Sequence, residues 1–351
     1  MVQKPNSNIS IVRISDEIEK INRNDWLDFV IKNPHGNIFH TPKMYDVYLN
    51  TKKYYPLGFF AFKGNRLVGV LIVLIQKELP GMAGYFTARA IIRGGPVIDR
   101  NESGVLKTLL ESYNKAIKHK VVYSEFRNMN YSEDFKDVFG QLGYKFEDHL
   151  DIHINLDRKY QELMKDVKKG RKRNLKKSIN KGTEFYELNS KNEIKEAYSL
   201  IKETYQRIKK PFPDLSHFLA LYNFLSPHDN IKFFVVKDSE DNMIGFRTIL
   251  CFKNLMYDYY AGSSRKASNK YPNDVCVLKT LEWGCNSNYT LFDFGGAGKP
   301  NEEYKVRDFK LTFGGELKNF GRFIKIHSKP IYYTADLFLS FFGQLFHFEI
   351  L

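Results

Sequence analysis

An aromatic-led hairpin pattern occurs twice in the chain. In the first copy Phe59-Phe60-Ala61-Phe62-Lys63 is followed by Gly64-Asn65 and then by the apolar run Leu67 to Leu74. In the second, Phe233-Phe234-Val235-Val236-Lys237 is followed by the polar stretch Asp238 to Asn242 and the run Met243 to Leu250. Turn residues between two apolar runs are a hairpin signal. The copies start 174 residues apart in a chain of 351, which points to duplication of one domain.

Strands and helices alternate around both hairpins. Val105 to Lys118, Tyr131 to Leu142, Ile194 to Ile208, Leu215 to Leu225 and Val275 to Asn286 carry helical apolar spacing. Val121 to Phe126, Leu255 to Tyr260 and Tyr289 to Phe294 read as strands, and Lys145 to Leu156 as one alternating strand. This order predicts an α/β (α+β) fold of two tandem domains, each a mixed, largely antiparallel sheet flanked by helices. Residues 1–150 form the first expected domain and residues 151–317 the second, with 318–351 returning to the first. Asp336 to Leu351 has one narrow polar face and reads as a helix packed in a core or lying on a membrane surface.

The formal net charge is +14, and much of it is local. Between Arg158 and Lys181 eleven basic residues meet two acids, Glu162 and Asp166. Such a segment suits RNA phosphates, nucleotide diphosphates or an anionic bilayer. Cys251, Cys276 and Cys285 form no CxxC pair, which fits a reducing cytoplasm. The polar N-terminus shows no signal peptide, and no apolar run approaches the ~20 residues of a spanning helix.

HExxH, GxSxG, Walker and GxGxxG motifs are all missing. His149 and His153 share the polar face of an alternating strand with Asp151 and read as surface residues, so no metal is expected. Metal chemistry and covalent hydrolysis are therefore disfavoured. Two glycine-punctuated strand ends stand out instead. Phe292-Asp293-Phe294-Gly295-Gly296 is followed by Phe309-Lys310 and Phe313-Gly314, and the first half carries Arg93-Gly94-Gly95-Pro96 with Asp99 close behind. Glycines at a strand end let backbone turn sharply or approach a ligand.

With Gly36 to Pro42, the basic run Lys169 to Lys177 and Glu203-Thr204-Tyr205-Gln206-Arg207, these motifs form an ordered set running from Gly36 to Gly315. The set resembles the Fem-type peptidoglycan aminoacyltransferases (FemABX-like) of the GNAT superfamily, in their compact form without the helical arm. The resemblance implies an acyltransferase that moves an aminoacyl group from aminoacyl-tRNA to an amine of a lipid- or nucleotide-linked envelope precursor. No cofactor is bound in that reading, and peripheral contact with the inner face of the membrane fits it. At the position where acetyltransferases carry a glycine-rich coenzyme A loop, this chain has Gly262 to Ser268 without those glycines. An acyl-CoA-dependent N-acyltransferase acting on an amino sugar of a surface polysaccharide is the alternative. An inactive module binding nucleic acid or membrane is a third reading.

Aminolysis needs a neutral amine in line with a carbonyl and stabilisation of the oxyanion, and no protein nucleophile. The resemblance assigns the electrostatic part to Lys310. It makes Asp99 a base, a residue that orients the amine, or a stabiliser of its turn. Arg93, Tyr205, Arg207, Phe309, Asp293, Gly295 and Gly296 fall in its substrate-binding regions. Lys168, Lys169, Arg171, Lys172, Arg173, Lys176 and Lys177 would meet RNA or an anionic surface.

Overall fold

A computed structural model describes residues 12–79, 81–99, 104–130 and 133–334. The segment expected as a C-terminal apolar helix, residues 336–351, lies outside the described residues. Two compact units are present. Of the described residues, one comprises 12–45, those within 53–146, and 323–329; the other comprises 46–52, 147–322 and 330–334.

The first unit runs β1 (Val12–Ser15), α1 (Arg23–Lys32), α2 (Pro42–Leu49, whose last turns belong to the other unit), β2 (Tyr54–Lys63), β3 (Arg66–Gln76), β4 (Arg89–Arg93), β5 (Val97–Ile98), α3 (Val105–Ile117), β6 (Tyr123–Arg127), α4 (Glu133–Gln141) and β7 (Lys145–Glu147). The second continues with β8 (Leu150–Asn155), α5 (Tyr160–Asp166), α6 (Lys169–Ile179), β9 (Glu184–Glu187), α7 (Lys191–Arg207), α8 (Leu215–Leu225), β10 (Ile231–Lys237), β11 (Met243–Phe252), β12 (Leu255–Ser263), α9 (Pro272–Asn286), β13 (Leu291–Gly296), α10 (Lys305–Leu311) and β14 (Glu316–Asn319). Last comes β15 (Arg322–Ile326).

The sheets share one plan. The first is ordered β1-β2-β3-β4-β6-β15-β7, with β5 paired to β3, and the second follows the same order, β9-β10-β11-β12-β13-β8-β14. Each has an antiparallel hairpin at its heart, β2–β3 or β10–β11, formed by the repeated aromatic-led pattern. Each also has one parallel pair bridged by a helix, β4–α3–β6 or β12–α9–β13, as a parallel crossover requires. The strand lying between the fifth and last positions is exchanged. β8 follows β7 in sequence yet joins the second sheet, and β15 follows β14 yet joins the first.

That exchange corrects the single strand expected over Lys145 to Leu156. The chain breaks at Asp148–His149, where the His149 amide donates to the Asn319 side chain and the Leu150 amide to the Gly298 carbonyl. Partners so distant in sequence leave no local turn signal. The return to the first sheet begins at β15, because Glu316–Asn319 pair with β8 in register Glu316↔His153 to Asn319↔Leu150. The compact units accordingly divide the chain at 146/147 and 322/323, where the sequence reading divides it at 150/151 and 317/318.

Both cores follow the pattern of the elements. Leu106, Leu109, Leu110, Tyr113 and Ile117 line the buried side of α3 against Phe59, Leu71, Val73 and Phe126. Phe323 of β15 stacks on Phe139 of α4 at 4.0 Å between ring centroids, which anchors the returning strand. In the second unit α9 buries Val277, Leu278 and Leu281 on Phe234, Ile249, Met256 and Phe292. α7 packs so closely on β12 that a Cβ at Gly262 would lie 2.5 Å from the Leu200 backbone.

Candidate active site

The parallel pair β12–β13 comes apart within the sheet. Register holds from Leu255↔Leu291 to Tyr257↔Asp293, and beyond that point β12 runs on to Ser263 paired only to β11. Tyr257 to Ala261 are part-exposed as a result, although they lie on a central strand. On its other edge β13 pairs with β8 at Asp293↔His153 and next at Gly296↔Asp151, so it carries one extra residue there. Gly295 takes the left-handed conformation that this bulge needs, with φ +68°, and its amide donates to the Asp293 carboxylate at 2.7 Å. In the first unit the equivalent pair β4–β6 stays in register to Arg93↔Arg127, and the Gly94 amide extends it with a bond to the Arg127 carbonyl. The notch is open in the second unit alone of these two pairs.

Splaying leaves the Phe294 carbonyl at the end of β13 without a partner on β12, and buried carbonyls must be satisfied. Lys310, on α10, does this. Its ammonium donates to the carbonyls of Phe294 at 2.5 Å, Gly295 at 3.2 Å and Gly296 at 2.9 Å. Burial draws its pKa below the usual lysine range, against the pull of Asp258, Asp151 and Asp293. All three ammonium hydrogens are therefore engaged, so an oxyanion reaching this lysine must displace a backbone carbonyl. Phe309 holds the start of the motif by packing on Phe313 at 5.0 Å.

Charged groups surround the notch. Arg247 donates to Asp258 at 2.5 Å, both nearly inaccessible. Arg247 Nε and Asp258 Oδ1 are buried without hydrogen-bond partners among the described residues, the kind of exception that functional sites carry. His153 lies 3.6 Å from Asp293 and is packed by Phe320, so it is not the solvated surface residue that strand alternation suggested. His149 meets Arg322. Asp151, on the same polar face of β8, has its pKa raised to about 7, first by burial and then by Asp293, while Lys310 and Arg322 oppose the shift.

The other expected residues distribute as follows. Asp293, Gly295, Gly296, Phe309 and Lys310 come together at the notch. Tyr205, near the end of α7, packs on Phe212 and Tyr260 at 5.9 and 5.8 Å, and Arg207 is exposed at the C-terminus of the same helix. Asp99 and Arg93 belong to the first unit. There Asp99 pairs with Arg66 at 2.7 Å, and the Arg93 guanidinium lies 5.6 Å from the Phe39 ring centre. Lys168, just before α6, and Lys169, Arg173, Lys176 and Lys177 on it are exposed, and Lys172 partly so. Arg171 points inward. It bonds Thr312 and Asp274, each at 2.8 Å, and lies over Phe309.

Sequence reading passed over Arg247, Asp258 and the run Tyr257 to Tyr260. A lone arginine inside the otherwise apolar strand Met243–Phe252 was the available signal, since an unpaired buried charge is not tolerated.

Residues 168–306 match the family model described as an acetyltransferase (GNAT) domain. The matched segment includes the parted strands β12 and β13, whereas Asp151, His153, Phe309 and Lys310 lie outside it. Among solved structures it is similar to FemX, with TM-score 0.68 and 16% identity over 92% of this chain and 100% of that one. A tandem GNAT protein from the clavulanic acid biosynthesis pathway aligns with TM-score 0.60 and 10% identity, over 90% of this chain and 99% of that one. L-PGS from Bacillus licheniformis aligns with TM-score 0.57 and 16% identity, over 92% and 97%. The fold is a tandem GNAT arrangement of two mixed sheets. No curated protein matches the chain by sequence.

Proposed function

We propose that the chain transfers an aminoacyl group from aminoacyl-tRNA to an amine of a cell-envelope precursor, by direct aminolysis at the β12–β13 notch. The observation that carries the choice of donor is the loop following β12. In an acyl-CoA enzyme the amides of such a loop hold a diphosphate. Here the Ser263 amide donates to Thr204 Oγ1 at 2.9 Å, the Ser264 amide to the Ile244 carbonyl, and the Arg265 amide to the Glu203 carboxylate at 2.8 Å. Glu203 thus sets a negative charge where a diphosphate would need to come.

The exposed face of α6 supports the same reading. Lys169, Arg173 and Lys177 are spaced four apart with no acid on the helix, an arrangement that is self-repelling until a polyanion arrives. In this mechanism the amine attacks the ester carbonyl within the notch, and the Lys310 charge stabilises the oxyanion by exchanging one of its carbonyl partners. Tyr205 and Arg207, on the same unit as the notch, contribute to acceptor binding. The envelope assignment, a cytoplasmic location and peripheral membrane contact follow from the family resemblance. Among the described residues no helix is long and apolar enough to cross a membrane.

The test titrates the whole protein with charged and uncharged tRNA and with acetyl-CoA at two salt concentrations. It then follows labelled aminoacyl transfer to nucleotide- and lipid-linked precursors. Salt-sensitive tRNA binding with label appearing in an amide is the expected result. Saturable coenzyme A binding without tRNA affinity would overturn it in favour of an acyl-CoA N-acyltransferase.

A further inference from the structure

Of the three carboxylates that act on Lys310, one is uncommitted. They come from three neighbouring strands: Asp258 from β12, Asp293 from β13 and Asp151 from β8. Asp258 is tied to Arg247 and Asp293 to the Gly295 amide, and both side chains are buried. Asp151 is half-buried. Among the described residues its carboxylate accepts no hydrogen bond and forms no ion pair, although Lys310 is near enough to act on its charge.

The register places this carboxylate beside the strand end that Lys310 holds. Asp151 lies directly opposite Gly296, whose carbonyl accepts from the Lys310 ammonium at 2.9 Å. Directly opposed residues on antiparallel strands turn to the same face, with Cβ positions roughly 5 Å apart. Gly296 leaves that face bare. Its backbone is not left-handed, and an added Cβ would meet nothing nearer than His149 Nε2 at 3.4 Å, an ordinary contact. Neither conformation nor packing therefore demands a glycine here. Asp151 and Lys310 flank one residue, and that residue has no side chain.

We propose that Asp151 is a catalytic residue of the acyl transfer: it takes the proton that the attacking amine must lose, while Lys310 meets the charge on the oxygen. The proposal rests on the reading of the notch as a site of aminolysis. Attack forms the C–N bond and opens the carbonyl, leaving an oxyanion and a surplus proton on nitrogen. That proton passes to the Asp151 carboxylate. Collapse of the adduct restores the carbonyl and breaks the ester C–O bond, and the departing tRNA oxygen takes the proton from Asp151. The carboxylate ends as it began, and the products are an amide and a free hydroxyl.

The surroundings suit a base that works near neutral pH. Burial, and then Asp293 on β13, disfavour the charge on Asp151; Lys310 on α10, Arg322 on β15 and His153 on its own strand favour it. The outcome is a pKa of about 7. Lys318, opposite it on β14, is held by Glu316 at 2.7 Å, and His149 is engaged with Arg322. A carboxylate of that basicity can accept the amine's proton and also give it up again.

The test follows transfer by the full chain as a function of pH, for wild type, Asp151→Asn, Asp151→Glu and Gly296→Ala. Ionisation of the acceptor amine enters every profile alike, so the ratio of wild-type to Asp151→Asn kcat/KM isolates the carboxylate. That ratio should rise through about pH 7 and level off near ~10², and Asp151→Glu should recover part of the loss. Gly296→Ala fills the bare face and keeps both charged groups. It should lower kcat/KM by ~10²-fold with an unchanged urea midpoint, and it decides the matter if Asp151→Asn misfolds. A ratio that is flat with pH, or full activity in Gly296→Ala, overturns the proposal while leaving the donor assignment intact. A wild type that transfers from acetyl-CoA instead of aminoacyl-tRNA overturns the donor assignment, and the same variants then decide the role of Asp151 in that reaction. A wild type that transfers from neither overturns both.

Discussion

Replacing Lys310 by Met keeps the length of the side chain and removes the ammonium, and so tests whether this lysine is built into the sheet. Three carbonyls lose their donor. Gly296 is exposed, so water can replace the lysine there, but Phe294 and Gly295 are buried. A buried acceptor left without a donor costs roughly 1–3 kcal/mol; Gly295 keeps the Ile152 amide across the β13–β8 pairing, so that cost falls on Phe294. Part is regained because the ammonium no longer has to be desolvated, while Asp258, Asp151 and Asp293 lose their shared cation. The expected net loss is about 1–3 kcal/mol. The chain has two tryptophans, Trp26 in the first unit and Trp283 in the second. Urea unfolding followed by fluorescence in a Trp26→Phe background therefore reports the second unit. Aminoacyl transfer should fall by ~10²–10³-fold under conditions where the variant stays folded. A stability loss below about 0.5 kcal/mol with full activity would show that Lys310 is an ordinary surface lysine and would refute the account of the notch.

Arg171 and its neighbours on α6 should separate cleanly. Arg171→Met leaves the buried Asp274 carboxylate with Asn174 alone, costing about 2–4 kcal/mol by denaturant titration and changing tRNA affinity less than about twofold. Arg173→Ala, Lys176→Ala and Lys177→Ala together should do the reverse, reducing the salt slope of tRNA binding by about 2 with stability nearly unchanged. The pKa of Asp151 is raised in the folded state to about 7, so the native second unit holds a proton that the unfolded chain releases near pH 4. Stability should then fall as pH rises from about 4 to about 7 and level off above, and Asp151→Asn should flatten that slope in urea titrations. Gly262→Ala forces a methyl into the Leu200 backbone and should cost about 1–3 kcal/mol, with earlier hydrogen exchange in α7.

The duplication was legible because its signal is local: each aromatic-led strand, its turn and the following apolar run occupy about twenty consecutive residues. Helices with one strongly apolar face were legible for the same reason. Val105 to Lys118 was expected where α3 spans Val105–Ile117, and α8 has its expected limits. The exchanged strands were not legible, because nothing near Asp148 records that residues 319 and 298 will satisfy the backbone there. At the site, the glycines and Lys310 stood out by residue type. Arg171 looked like its basic neighbours, since its inward turn depends on Asp274, 103 positions away.

The strand exchange has a consequence for the order in which the molecule can be completed. Every strand of the second sheet lies in one continuous stretch, Leu150 to Asn319. The first sheet, although its other strands leave the ribosome earlier, lacks β15 until residues 322–326 have been made. Until then β6 and β7 face a gap one strand wide, and the edge of β6 is an open template for any extended chain. Closing the gap engages His327, whose amide donates to the Val122 carbonyl at 2.8 Å and whose ring bonds Ser124 at 2.7 Å. The half of the protein that is synthesised first is thus the half that is finished last, and a nascent chain stopped just short of Arg322 would present the cell with a complete C-terminal sheet attached to an aggregation-prone N-terminal one.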